Sequence, residues 1–412
     1  MATGATKAKL SVGWQGPLLI LLCGCLISIC TNGPRSSFGF FLQPMSTDLH
    51  WGRDVFAFAI AIQNIVNGIG QPFSGAIADR FGTVRSLIAG ALIYSAGLVL
   101  MSYSTTPGML TLSAGVMIGF GLSGASFPIV LAAFGKLMPA EWRSTAFGIG
   151  TAAGSFGQFL FSPLAVVLIG NVGWQSALLV YACIVLLVLP LSLLLATRGG
   201  TPGAADAVPQ SFRNAIGEAF GHGSYILLVL GFFTCGFHVA FITTHLPPYL
   251  VDKGLDASWG GWVVAFIGLF NIVGSLTAGI LGGRLPKRYL LSLIYFSRTV
   301  AIAWFVTTPV TPLSAMIFGG AMGLFWLSTV PLTSGLVALM FGTRYMATLF
   351  GFAFFSHQVG SFLGVWLGGF LYERTGSYDV VWWLGAALGI VAGLLNLPIR
   401  ERPVPRIAAA QT

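Results

Sequence analysis

Twelve stretches of mostly apolar residues follow one another along this chain, at roughly 17–43, 54–76, 85–103, 107–135, 144–170, 174–196, 223–250, 258–282, 289–308, 312–340, 346–371 and 379–398. Crossing the hydrocarbon core of a bilayer takes about 20 residues of helix. Backbone polar groups in hydrocarbon must bond within their own segment, and for lone apolar stretches that means helix. Only 8% of the 412 residues are charged and 56% are hydrophobic, against roughly 25% charged in a soluble domain. The expected fold is therefore all-α, a polytopic membrane protein of twelve spans. Several spans exceed 25 residues, which implies tilt. Little chain remains for a soluble domain, and no G-x-x-x-x-G-K-[S/T] loop occurs, so neither ATP-driven work nor an enzyme with a bound cofactor is expected.

The net charge of +9 is unevenly spread. With the N-terminus inside, fifteen cations (Lys7, Lys9, Arg80, Arg85, Lys136, Arg143, Arg198, Arg213, Arg284, Lys287, Arg288, Arg344, Arg400, Arg402 and Arg406) fall in inner loops and tails, against three outside, Arg53, Lys253 and Arg374. That asymmetry predicts both termini in the cytoplasm and makes the charge a topology signal, with no nucleic-acid partner. The first span is longer than a signal peptide's apolar core of about 7–15 residues and is interrupted by Asn32-Gly33-Pro34-Arg35, so it is expected to be retained. All five cysteines fall within spans. Cys23 and Cys25, two apart, do not share a helix face, and no metal site is expected.

A polar linker, 197–222, separates two six-span halves, 1–196 and 223–412. The end of the linker has the pattern of a short amphipathic helix with Phe212, Ile216 and Phe220 on one side. The halves resemble each other. AIAIQNIVNGIGQPFSGAIADR (59–80) matches VVAFIGLFNIVGSLTAGILGGR (263–284) at an offset of 204, pairing Asn67 with Asn271, Gly70 with Gly274, Gly75 with Gly279 and Arg80 with Arg284. Both copies run in the same direction, so the repeat is parallel, an arrangement that sets a substrate site between the halves near the midplane.

GAIADRFGTVR (75–85) resembles the inner-loop signature of the major facilitator superfamily, G-x-x-x-D-R-x-G-[R/K]-[R/K], departing at Thr83 and Val84; GILGGRLPKR (279–288) is a degenerate copy. The resemblance implies two pseudo-symmetric bundles that rock about a central site, with Asp79 and Arg80 latching the inner side. GPRSSFGFFLQPM (33–45) resembles the Pro-Lys/Arg-Ser segment of monocarboxylate porters and their bacterial relatives, including oxalate:formate exchangers, and RSTAFGIGTAAG (143–154) partly resembles the small-residue signature of the same group. Span 8 departs, with Asn271 and Ser275 where animal members carry Asp-x-x-x-Arg. This likeness implies a bacterial inner-membrane protein, acting as a monomer.

Two arginines, Arg35 and Arg298, lie deep within spans, while all eleven carboxylates fall in loops or at span ends. A charge at bilayer depth is costly and usually partnered, and a ligand carrying negative charge is the simplest partner. Arg35 lies nine residues, about 13 Å, below the outer end of span 1, and its planar guanidinium suits a carboxylate; the competing role is bonding to backbone carbonyls freed at Gly33-Pro34. Arg298 sits on span 9, peripheral in this superfamily, where packing against a neighbour's carbonyls competes with a substrate role. His238, His245 and His357 are the intramembrane groups whose ordinary pKa lies near neutrality, which makes them candidate proton carriers; His238 and His245, two turns apart, also face the expected cavity. Asn271 is a candidate donor to substrate, although amides more commonly bond between helices. On span 10, Trp326, Ser328 and Thr329 lie near Pro331, where an interrupted helix suggests a binding position.

The expected function is secondary transport of a small organic anion, a monocarboxylate foremost, by proton-coupled uptake or exchange, with the lipid bilayer as its surroundings. Alternatives are an exporter of hydrophobic drugs, a nitrate- or cyanate-type porter, and a membrane sensor without flux.

Overall fold

The computed structural model describes residues 16–138, 140–196, 212–341 and 346–405. Span 1 is two helices, α1 (Pro17–Ser36) and α2 (Gly39–Asp48). Pro34 lacks an N–H, and the Ser36 and Ser37 hydroxyls bond back to the Gly33 and Pro34 carbonyls at 2.8 and 2.9 Å, so the chain turns there without stranding backbone acceptors in lipid. Spans 2 and 3 are α3 (Arg53–Phe81) and α4 (Thr83–Ser102), joined at Gly82, whose φ of 92° suits a residue without Cβ. Span 4 runs from α5 (Pro107–Leu110) through a π-helical stretch, Thr111–Met117, to α6 (Ile118–Gly124) and, after a break, α7 (Phe127–Leu137). Spans 5 and 6 are the two helical arms of α8 (Ala140–Leu186), which meet at a non-helical break at Gly173 (φ 79°), the second arm being extended by α9 (Val188–Leu193).

Past the linker helix α10 (Phe212–Phe220) come α11 (Gly223–Asp252), α12 (Ala257–Gly282) and α13 (Lys287–Thr307). Span 10 is broken into α14 (Pro312–Phe325) and α15 (Thr329–Phe341), followed by α16 (Met346–Thr375) and α17 (Asp379–Asn396). By length and composition nine helical segments among the described residues could cross a membrane. One of them holds the Gly173 break and supplies two crossings; with the more polar α3 and α16, twelve rods result. The chain is all-α, as the sequence predicts.

On α10 the buried face is Ala215 and Ala219, with Ile216 half-buried and Phe220 exposed. The Phe212 side chain lies outside the described residues; Phe220 packs edge-on against Tyr225 and Phe352.

The largest apolar cluster is built from residues 20–195 together with Ala240, Val264 and Val365; the others draw on residues 219–404. After α17 the chain folds back over the inner ends of its neighbours. Arg400 N–H donates to Ser224 Oγ (3.0 Å), Val404 N–H to the Met340 carbonyl (3.0 Å), and Arg288 N–H to Glu401 Oε1 (2.7 Å).

Candidate substrate site beneath an outer seal

The two halves meet along α2–α11, α3–α16 and α8–α12. The approach is closest toward the outer ends. A Cβ added at Gly39 would overlap the Thr243 carbonyl oxygen of α11, and one at Gly369 would overlap Ala57. Farther in, Gly268 lies against the Ser155 carbonyl, Gln158 Nε2 donates to the Val264 carbonyl (3.2 Å), and Asn271 Nδ2 donates to Ser155 Oγ (2.9 Å). At the inner ends the spacing widens: Cβ atoms at Gly75 and Gly279, the repeat-related pair, would have nothing within 4 Å. Among the described residues, the close contacts between the halves lie at the end that carries Arg53 and in the middle, while Gly75 and Gly279 at the opposite end face open space.

Arg53 fastens the outer edge. Its guanidinium donates to both Asp252 carboxylate oxygens at 2.6 and 2.7 Å and to Tyr378 Oη at 3.2 Å. It also lies 4.2 Å from the Tyr372 ring centroid, and its backbone N–H donates to Glu373 Oε1 (2.6 Å). Burial alone would lower the Arg53 pKa, but Asp252 and Tyr378 outweigh it and the net direction is up. In sequence, Arg53 is only one of three outer cations. The ends of spans 2, 7 and 11 must be known to adjoin before Arg53, Asp252 and Glu373 can be read as a group.

Arg35 lies one helical turn below the Gly39 contact. It ends α1, where a cation offsets the partial negative charge of the helix C-terminus. Its side chain is half-buried, and Nη2 donates to Asn64 Oδ1 on α3 at 3.0 Å. Asn64 is itself held by a bond to the Ile60 carbonyl (2.9 Å). A neutral amide is thus the one hydrogen-bond partner of the Arg35 side chain among the described residues. Asn32, one turn back on α1, is half-buried opposite Gly154 of α8. Arg35 with Asn64 and Asn32 can bind an anion through a charged, planar donor flanked by amides.

Arg298 is wholly buried and does different work. Nε and Nη2 donate to the Phe325 carbonyl at 3.0 and 2.6 Å, and Nη2 also reaches the Trp326 carbonyl. These acceptors are freed where α14 ends. On the other side of the break, Leu327 N–H donates to Asn271 Oδ1 (2.9 Å), which also accepts from Ser275 (3.0 Å). Arg298 and Asn271 together satisfy the interrupted backbone of span 10. Trp326, Ser328 and Thr329 are buried at this break; Ser328 Oγ donates to the Leu324 carbonyl (2.6 Å), and Thr329 Oγ1 lies 3.2 Å from Cys235 Sγ.

The histidines divide as well. Nε2 of His238 lies 2.7 Å from the Gly385 carbonyl, and Nε2 of His245 lies 2.8 Å from the Val365 carbonyl. A carbonyl only accepts, so in both rings Nε2 carries the proton. Both rings are buried within the second half. His357 instead stacks on Phe354 and has Nδ1 3.2 Å from Gln358 Oε1. Gln358 in turn meets Gly68 of α3 across the seam. The structure therefore brings Arg35 to the seam, while Arg298, His238, His245, Trp326, Ser328 and Thr329 face the interior of the second half. The His357 ring also packs there, against Phe232 and Phe354, and it is its neighbour Gln358 that reaches the seam. The side chains of Asp79 and Arg80, the expected inner latch, lie outside the described residues.

The model of the Major Facilitator Superfamily matches residues 20–365. The MFS-type transporter YcxA of Bacillus subtilis (strain 168) is 30% identical over 370 residues, 88% of this chain and 90% of that protein. Monocarboxylate transporter 13 of Rattus norvegicus is 24% identical over 94% of this chain and 89% of its own length; monocarboxylate transporter 12 of Homo sapiens is 22% identical over 90% and 77%. Among solved structures, the D-xylose-proton symporter superposes with a TM-score of 0.72 at 17% identity, covering 93% of this chain and 97% of that one. A point mutant of the nucleoside transporter NupG superposes with a TM-score of 0.73 at 15% identity, covering 93% and 100%.

Proposed function

Since the chain belongs to the major facilitator superfamily, and so to a family of multi-pass membrane transporters, we propose that its cargo is a small organic monoanion, a monocarboxylate foremost, carried by proton-coupled uptake or exchange. The observation that carries this reading is Arg35: half-buried, one turn below the outer seal, and held by a single neutral side chain. A guanidinium so placed favours a bidentate carboxylate. The relatives named as monocarboxylate transporters support the same class.

Of the three histidines, His357 is the proton carrier in this proposal. His238 and His245 are anchored to backbone carbonyls on α17 and α16, whereas His357 adjoins the seam through Gln358.

Counterflow in proteoliposomes tests the cargo. A radiolabelled monocarboxylate should exchange and be competed by other monocarboxylates, but not by nitrate, cyanate or a lipophilic cation. Competition by nitrate or cyanate with no effect of monocarboxylates would move the assignment to an inorganic anion. The absence of exchange with any anion would end it. His357→Gln should exchange normally and fail to accumulate cargo under an imposed pH gradient; full accumulation would remove His357 from the mechanism.

A further inference from the structure

At the inner end of the second half, far from Arg35, is a cleft of about 650 Å³ bounded by the α12–α13 turn and the tail after α17, with Arg284, Lys287, Arg288, Arg400, Arg402 and one carboxylate, Glu401, in its wall. Glu401 is committed to the Arg288 backbone N–H (2.7 Å), where it caps α13. The Arg288 guanidinium is also engaged, with Tyr289 Oη at 2.9 Å and the Ile399 carbonyl at 3.3 Å. Arg284, Lys287, Arg400 and Arg402 have no carboxylate partner among the described residues, where the one ion pair is Arg53–Asp252. Four cations crowded around one concavity repel each other unless an anion sits among them.

The setting indicates which anion. The tail wall is fixed by bonds from the Arg400 and Val404 backbone N–H groups to Ser224 and Met340, which hold the backbone that carries Arg400 and Arg402 against the cleft. α13 and α17 pack against each other through Ser292 Oγ, which donates to the Gly393 carbonyl (2.9 Å). They continue from the cleft as an apolar face: Leu293 is 59% exposed, Leu394 55% and Leu397 38%. A phosphate with attached acyl chains matches both parts. Basic pockets between helices at the cytoplasmic side suit anionic headgroups, each nearby cation contributing on the order of 1 kcal/mol to the attraction.

We propose that this cleft binds the phosphodiester headgroup of an anionic phospholipid, with the acyl chains running along α13 and α17.

Purified full-length protein, delipidated and returned to nanodiscs of phosphatidylcholine alone or with phosphatidylglycerol, tests the proposal by lipid retention in native mass spectrometry and by thermal shift. Wild-type protein should retain phosphatidylglycerol selectively and be stabilised by it. The triple variant Arg284→Gln/Arg400→Gln/Arg402→Gln should lose roughly a hundred-fold in relative affinity. The triple Lys variant should keep most of the selectivity and controls for folding. Equal retention of both lipids by wild type, or unchanged selectivity in the Gln triple, would overturn the proposal. So would stabilisation by inorganic phosphate in phosphatidylcholine discs that matches phosphatidylglycerol, since that marks a soluble anion.

Discussion

Arg53 and Asp252, 199 residues apart, are joined by paired hydrogen bonds of 2.6 and 2.7 Å that tie the start of α3 to the end of α11. Their side chains are 12% and 26% exposed, so the pair is shielded more than a surface ion pair and less than a buried one. The same arginine contacts Glu373, Tyr372 and Tyr378. One side chain of the first half thus holds three elements of the second.

Arg53→Ala should therefore loosen the outer seal. Charged hydrogen bonds of this kind contribute about 2 kcal/mol, a roughly thirty-fold shift in the balance between outward-closed and outward-open states. A cysteine placed at Thr243 in a background without native cysteines would report it as faster labelling from outside. Asp252→Ala should act in the same direction. The reversed pair, Arg53→Asp with Asp252→Arg, should recover part of the protection; labelling unaffected by either single change would show that close packing alone keeps the face shut.

Arg35→Ala should nearly abolish cargo binding. Removing one partner of a desolvated ion pair costs about 3–5 kcal/mol, a loss of roughly a hundred-fold or more. Arg35→Lys keeps the charge without the paired donors and should bind weakly. Cargo-dependent thermal shift measures both. A normal shift in Arg35→Ala would remove the site from α1.

Arg298→Met should instead lower the melting temperature of the cargo-free protein. The Phe325 carbonyl would be left buried without a side-chain donor, at about 1–3 kcal/mol, and the Trp326 carbonyl would keep only the weak Cys235 thiol contact at 3.9 Å. Counterflow per folded molecule should stay close to wild type. A variant as stable as wild type but unable to bind cargo would place the anion in the second half.

Two glycines separate the seam from the interior. A Cβ at Gly39 overlaps the Thr243 carbonyl across the halves, whereas one at Gly274 overlaps the Leu324 carbonyl within the second half. Gly39→Ala should raise outer labelling at little cost in melting temperature, because the halves can part. Gly274→Ala should lower the melting temperature, because its clash has no such escape. The opposite pattern would mean that the α2–α11 contact is structural.

The element pattern was legible because apolar length and the helical constraint of hydrocarbon act locally. The break at Gly33-Pro34 could be read in the same way. What could not be read was where a side chain finds its partner. Arg35 and Arg298 look alike in sequence, each a cation within an apolar span. They differ in what lies opposite: an amide at the seam for Arg35, two carbonyls released by the end of α14 for Arg298. His245 looked free to titrate until the Val365 carbonyl came into place 2.8 Å from its ring. Asn64 was one amide among several in span 2, and nothing nearby in sequence marked it as the neighbour of Arg35.

The tail beyond α17 ties together three helices that the chain order keeps apart. Its bonds to Ser224, Arg288 and Met340 fasten the inner ends of α11, α13 and α15 to one strap. A half braced at its base in this way swings as a plate instead of bending one helix at a time. In the transport cycle proposed above, such a half should present one shape to cargo in both orientations. The difference in grip between loading and release falls to the opposite wall, where α1 is already broken beside its arginine.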